Sequence, residues 1–271
     1  MQIGAGIITM RRLGNPLQGL LMAELRYRVP DDSRVYAVGD IHGRLDLLMA
    51  VEDLILEDAA KAPERRKVVV YLGDYVDRGP ESRGVIEHLR EAPLTGFERV
   101  YLIGNHESMM LAFLEDLGAG PGWMWNGGDA TLMSYGVAAP TAWTDRNQLE
   151  AAQDGLERAL PQSHREFLAA LVLSHREGDY LFVHAGIRPG VALDKQDPND
   201  LVWIREEFLD SSADHGVMVV HGHTIREQPV RRPNRIGIDT GAYFTGRLTC
   251  LILAGDQVTL LQGSGRAGVL W

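Results

Sequence analysis

The chain has 271 residues, 45% of them hydrophobic and 24% charged, which is ordinary globular usage and enough apolar material for one large domain or at most two small ones. A formal net charge of −10 argues against a general binder of nucleic acid or of anionic membrane surfaces, and neither is an expected partner. The one cysteine, Cys250, excludes an internal disulfide and a cysteine-rich zinc site; it reads as a buried strand residue within LTCLILAG and fits a reducing cytoplasm.

Residues 1–32 read as an extension laid on a single domain spanning 33–271. Arginines in the extension follow a short apolar run instead of preceding it, the reverse of a secretory signal. No apolar run anywhere approaches the ~20 residues of a membrane helix. Three similar units come next: RVYAVGDIHG, KVVVYLGDYVDRG and RVYLIGNHE. Each is a short β-rich apolar run that breaks into a polar loop containing glycine. Each precedes a helical pattern. RLDLLMAVEDLILEDAAK places Leu45, Leu48, Val51, Leu54 and Ile55 on one face, with the Asp and Glu run at 52–58 on an exposed face. ESRGVIEHLREA and ESMMLAFLEDL follow the other two loops. This alternation predicts α/β packing around a largely parallel sheet, with the three loops meeting at the carboxyl edge of the strands.

The stretch 118–162 breaks that rhythm and reads as a cap or insertion beside the site. Within it, WMWNGGD is either a hydrophobic wall over the cleft or core packing of the cap, and TDRNQLEAAQDGLERAL reads as a polar helix. Strands resume with YLFVHAG, GVMVVHGHT, RIGIDTGA, RLTCLILAGD and QVTLLQ. Their close succession predicts a second sheet with antiparallel hairpins. The whole reads as a two-sheet sandwich flanked by helices.

The chemistry gathers at the strand ends. Asp40 and His42 lie in GDIHG, Asp74 in GDYVDRG, Asn105 in GNHE, His184 in FVHAG and His223 in HGHT. Two carboxylates, three imidazoles and an amide oxygen suit divalent manganese, iron or zinc, and Asp74 lies centrally enough in the set to bridge two ions. His88, His164, His175 and His215 lie in polar or helical stretches and read as solvated. Asp239 reads as a turn residue without a ligand role.

These motifs resemble those of the phosphoprotein phosphatase family of calcineurin-like metallophosphoesterases, in its bacterial and phage branch; LVWIREEF and IDTGAYFTGRLT are similar to that branch as well. The resemblance runs from about Arg34 to Gln262. It implies an αββα sandwich with two mixed sheets, two divalent ions (manganese foremost, iron or zinc as alternatives) and phosphomonoester hydrolysis. By the same resemblance, Asp40 and His42 would hold the first ion, Asp74 would bridge, and Asn105, His184 and His223 would complete the second. His223, the histidine of GHT, is preferred over His221 as the ligand.

Two cations ~3.5–4 Å apart would neutralise the phosphoryl oxygens and bring a bridging water toward ionisation at neutral pH. His106, oriented by Asp77, is the expected proton donor to the leaving alkoxide. Arg78 and Arg205 are the expected phosphate-gripping residues, with Arg188 and Arg44 as secondary candidates. Glu107 is expected to cap the helix that follows. The expected substrate is a phosphoserine or phosphothreonine protein or peptide, with phosphotyrosine also accessible. Hydrolysis of a dinucleoside polyphosphate or another small phosphate ester is the alternative.

Overall fold

The computed structural model describes residues 11–12, 27–64, 66–91 and 94–265. Most of the extension expected over 1–32 lies outside the described residues. Its described parts touch the domain: strand β1 (Arg11–Arg12) pairs with the last strand, and the buried Val29 donates its N–H to Gly255 O at 3.0 Å.

The first three strands are β2 (Ser33–Val38), β3 (Arg66–Tyr71) and β4 (Glu98–Tyr101), paired in parallel. Their register sets Val38 beside Tyr71 and Tyr71 beside Tyr101, so the loops after them leave from one edge. The crossovers are α1 (Leu45–Ala59) and α2 (Ser82–Glu91), and α3 (Asn105–Glu115) follows β4. The stretch read as an insertion holds a short 3-10 turn, α4 (Gly120–Trp125), α5 (Gly128–Ser134) and α6 (Arg146–Ala159), and α7 (Gln162–Ala169) follows. The polar helix expected there is α6, capped by Asp145, whose Oδ1 accepts the N–H of Asn147 at 2.9 Å and of Gln148 at 3.1 Å.

The second sheet runs β5 (Ser174–Glu177), β6 (Tyr180–Val183), β7 (Met218–His221), β9 (Arg235–Gly237), β8 (Val230–Arg232). Its centre, β6–β7–β9, is parallel, and its two edges are antiparallel. Short helices α8 (Pro198–Trp203) and α9 (Glu206–Leu209) cover its outer face. Helix α10 (Ala242–Thr245) leads into β10 (Arg247–Ala254) and β11 (Gln257–Ser264).

That last hairpin corrects the expectation of antiparallel hairpins building a second sheet. It extends the first sheet, whose order is β1-β11-β10-β2-β3-β4. The reason lies in the period-2 pattern of β10. Leu251 and Leu253 enter the core between the sheets, while Cys250 and Ile252 enter the core under α1. A strand apolar on both faces needs cover on both, and the place beside β2 supplies it. Strands β2 and β3 divide likewise: Val35, Ala37, Val68 and Val70 face the second sheet, and Tyr36, Val38, Val69 and Tyr71 face the helices. Each buried valine, leucine or isoleucine among them contributes about 1.5–3 kcal/mol, which fixes the register against a one-residue slip.

Three further expectations are corrected. On α1 the acidic run is not all exposed. Glu52 is buried and accepts from Tyr71 Oη at 2.5 Å, and the buried Asp58 accepts from Arg34 at 2.7 and 3.0 Å and from Tyr36 Oη at 2.8 Å. Positions 51, 52, 55 and 58 share one face at 3.6 residues per turn, so the edge of the apolar stripe carries two carboxylates paired with phenols and a guanidinium. Leu47 is buried there, while Leu45, in the first turn, is only half-buried. Nor are all the histidines solvated. His164 is buried between Tyr135 Oη at 2.8 Å and Glu87 Oε2 at 2.6 Å, and the half-buried His88 lies 2.5 Å from Glu52.

Candidate metal centre

Six strand ends meet at one edge of the sandwich. Asp40, Asp74 and Asn105 follow β2, β3 and β4 of the first sheet; His184, His223 and Asp239 follow β6, β7 and β9 of the second. All six are buried. Backbone conformation marks the same place. Among the described residues the non-glycine positive φ angles belong to His42 (47°), Asp74 (54°), Asp77 (71°), Arg78 (66°) and His223 (62°). Such residues cost on the order of 1–3 kcal/mol each and persist where surrounding structure over-determines them.

Asp74 is the hub. Its Oδ2 lies 3.5 Å from His42 Nε2 and 3.8 Å from His106 Nε2, and its Oδ1 lies 3.4 Å from His184 Nε2. Asn105 Oδ1 is 3.0 Å from His184 Nε2 and 2.9 Å from His223 Nδ1. Potential ligand atoms thus fall into two groups, His42–Asp74–His106 and Asp74–His184–His223, each within 4.8 Å, with Asp74 common to both. Asp40 sits beside them without joining the first group. Its carboxylate accepts the His223 N–H at 3.0 and 3.2 Å. The neighbouring glycines are sterically required: a Cβ on Gly222 would sit 2.0 Å from Asp40 Oδ1, and one on Gly104 2.1 Å from Asp74 Oδ1.

The donor set fits a divalent cation. His42 Nδ1 lies 2.9 Å from Val76 O and His184 Nδ1 2.8 Å from Leu72 O. A carbonyl only accepts, so each Nδ1 carries the hydrogen and each Nε2 presents a lone pair to the cluster. His184 Nε2 then faces the carboxylate of Asp74, acceptor against acceptor, an opposition that an intervening cation relieves. Burial pushes His42, His184 and His223 below their ordinary value, His223 to about 2, keeping them neutral as ligation requires. Burial opposes ionisation of Asp74, but the histidines around it, among them His106 with its own raised pKa, hold its pKa well below the usual carboxylate range. Asp40 is pushed well above that range by burial and then by Asp239 and Asp74, a crowding of carboxyl groups that positive charge would offset.

The paired residues of GNHE stand on the first turn of α3, which begins at Asn105, two residues ahead of the helical pattern ESMMLAFLEDL. Neighbours on a helix diverge by about 100°. Asn105 accordingly points to His184 and His223, and His106 points Nδ1 at Asp77 Oδ2, 2.7 Å away. Burial works against a charged His106, but Asp74 and Asp77 raise its pKa above the ordinary value. Glu107 does cap α3, accepting the Gly104 N–H at 2.9 Å. It also accepts the N–H groups of Asp74 at 2.9 Å, Tyr75 at 2.7 Å and Val76 at 3.2 Å, and so ties the segment bearing Asp74 to the one bearing Asn105 and His106.

Arg78 and Arg205 both reach the centre. An Arg78 nitrogen lies 3.1 Å from His42 Nε2, and its guanidinium lies 5.0 Å from the Tyr243 ring centroid. Arg205 donates to Thr224 Oγ1 at 3.1 Å and to His223 O at 3.4 Å. The secondary candidates are engaged elsewhere: Arg188 forks onto Asp200 at 2.6 Å, and Arg44 pairs with Asp46 at 2.7 Å. His221 stays off the cluster. Its Nδ1 donates to Gly222 O at 3.0 Å, its ring packs on Phe208, and burial lowers it to about 4. Asp239 accepts the Gly241 N–H at 2.9 Å and is raised to about 6, chiefly by burial.

Reasoning from sequence alone missed Trp123, Thr131 and Ser82. Trp123 Nε1 donates to Asp77 at 2.9 and 3.0 Å, Thr131 Oγ1 donates to Asp77 Oδ1 at 2.7 Å, and Ser82 Oγ accepts the Asp77 N–H at 3.0 Å. The tryptophan of WMWNGGD is therefore core packing with a polar function, whereas Trp125 is exposed. No spacing announces these contacts; the aromatic-glycine cluster was the one local signal.

A calcineurin-like phosphoesterase family model matches residues 33–246, and the protein belongs to that family of metallophosphoesterases: it is a metal-dependent hydrolase of phosphoesters. Among curated relatives, serine/threonine-protein phosphatase 1 of Salmonella typhimurium is 31% identical over 225 residues, covering 79% of this chain and 89% of that protein. An asymmetrical bis(5'-nucleosyl)-tetraphosphatase of Bacillus thuringiensis is 28% identical over 235 residues, covering 79% and 88%. Among solved structures, the cold-active protein-tyrosine phosphatase of a Shewanella species aligns with a TM-score of 0.53 at 18% identity, over 92% of this chain and 87% of that one, a likeness of fold. Among the described residues no helix is long and apolar enough to cross a membrane.

Proposed function

We propose that the protein is a phosphomonoesterase of protein-phosphatase type, acting on phosphoserine or phosphothreonine in proteins or peptides and also able to accept phosphotyrosine. Asp40, His42, Asp74, Asn105, His184 and His223 would hold two divalent ions, manganese foremost. Such a pair would supply positive charge against the phosphoryl oxygens and a nucleophile derived from water at neutral pH. Arg78 and Arg205 grip the remaining phosphate oxygens and hold the ester in line for attack. As the new P–O bond forms, the ester P–O bond breaks and its electron pair goes to the alkoxide. His106 gives its Nε2 proton to that oxygen, and the resulting neutral imidazole keeps its Nδ1 hydrogen bond to Asp77. The proton lost by water leaves to solvent. The single buried Cys250 accords with a cytoplasmic setting.

The observation that carries this reading is the buried His106–Asp77 pair at 2.7 Å. Serine and threonine alkoxides are strongly basic leaving groups and need a proton as the bond breaks. A nucleoside phosphate is a much weaker base and can leave without one. A built proton donor is therefore of most use against an alkoxide. Dinucleoside polyphosphate hydrolysis is the second reading, favoured by the relationship to the Bacillus tetraphosphatase. Direct competition between a phosphothreonine peptide and diadenosine tetraphosphate separates the two: the peptide is expected to be the better substrate by kcat/KM. Cleavage of the dinucleotide alone would overturn the first reading.

A further inference from the structure

The helices inserted after α3 are bound to the segment that carries Asp77 and Arg78. Trp123 on α4 is buried and gives one indole N–H to both carboxylate oxygens of Asp77, at 3.0 and 2.9 Å. Thr131 on α5 is buried, donates to Asp77 Oδ1 at 2.7 Å and accepts the Asp77 N–H at 2.9 Å. Its Oγ1 lies 2.9 Å from Ser82 Oγ on α2. The next residue is held in the same way, since Arg78 N–H donates to Gly127 O at 3.1 Å in the turn between α4 and α5. Asp77 thus has Oδ1 occupied by the insertion and Oδ2 divided between Trp123 and His106.

A carboxylate with one partner can swing about its terminal torsion, and an imidazole bonded to it swings with it. Two more donors, from two different helices, leave the carboxylate one orientation and the imidazole one direction. Trp123 is held against Phe113 of α3, the helix that carries His106, with ring centroids 5.1 Å apart. The insertion therefore references both ends of the His106–Asp77 pair. We propose that Trp123 and Thr131 are positioning residues for proton delivery, fixing the Asp77 carboxylate so that His106 keeps its Nε2 aimed at the departing oxygen. This inference rests on the reading of His106 as the proton donor.

Leaving-group dependence distinguishes positioning of a proton donor from general damage. Phenyl phosphate releases a basic phenolate that needs the proton; p-nitrophenyl phosphate releases a weakly basic one that does not. Trp123→Phe keeps the ring and removes the N–H, Thr131→Val removes the hydroxyl, and Thr131→Ser restores it. With saturating manganese, Trp123→Phe and Thr131→Val are each expected to lose about ten-fold in kcat on phenyl phosphate, under about three-fold on p-nitrophenyl phosphate, with KM changed by less than about two-fold. Thr131→Ser is expected to recover most of the loss. His106→Asn, measured alongside, should show the same bias more strongly. A flat response in His106→Asn sinks its role as proton donor and the inference with it. A biased His106→Asn beside an equal loss on both substrates, or no loss, in Thr131→Val overturns the positioning role alone. Thr131→Val carries that decision even if Trp123→Phe does not fold.

Discussion

Asp77 and His106 form a buried pair at 2.7 Å whose two members come from different segments, the loop after β3 and the first turn of α3. Beside them, Asn105 faces the opposite cluster of His184 and His223. One residue step of about 100° on the first turn of α3 thus separates a candidate metal ligand from a candidate proton donor.

His106→Asn should lower kcat for a phosphothreonine peptide by about 10²–10⁴ while leaving the bound metal content unchanged. Steady-state kinetics with elemental analysis of the purified variant checks both halves. Loss of the metals would make His106 a ligand, as its place 3.8 Å from Asp74 Oδ2 would then explain.

Asp74→Asn removes the carboxylate common to both groups of ligand atoms. The variant should lose metal and hydrolysis together, and excess manganese should recover little. In the unaltered protein, chelation should abolish hydrolysis and re-added manganese restore it. Isothermal titration with manganese after chelation gives the comparison, and equal affinity in the two proteins would contradict the hub role of Asp74.

Glu107→Gln should destabilise the fold by about 1–3 kcal/mol, because an amide NH2 replaces one oxygen that now accepts from backbone N–H groups. Urea unfolding at fixed pH measures it. Metal affinity should fall as well, since the same carboxylate holds the Gly104 and Asp74 backbones in place.

The half-buried His88 offers a pH signature away from the centre. Its hydrogen bond to Glu52 raises its pKa above the ordinary value against the opposing effect of burial. A raised folded-state pKa contributes stability that is complete below the unfolded value near ~6.5 and is lost as pH rises through the folded value. His88→Asn should therefore be most destabilised, relative to the unaltered protein, in mildly acidic buffer, and the gap should shrink as the buffer becomes alkaline. Thermal melts across that range test the sign; a gap that widens with pH would contradict it.

Strand-to-loop punctuation made much of the centre legible. Asp40, His42, Asp74, Asn105, His184 and His223 each end or follow a short apolar run, and parallel pairing brings such ends to one edge. Less legible was what depends on the face of an element at its margin. Glu52 and Asp58 lie on the border of the α1 stripe, where burial is decided by whether Tyr71, Tyr36 and Arg34 stand opposite. The same holds for His164, polar in its local sequence and buried between Tyr135 and Glu87.

By itself the sequence determined the α/β class and pointed to a set of candidate metal-binding residues, because period, turn chemistry and donor type are local properties written along the chain. Only the tertiary structure decided that the β10–β11 hairpin joins the first sheet, that Asn105 and His106 diverge from one helical turn, and that Trp123 and Thr131 grip Asp77. Each of those outcomes is a meeting of segments distant in sequence. It is set by which apolar faces can be covered and which buried polar atoms can be paired, and neither condition can be evaluated one segment at a time.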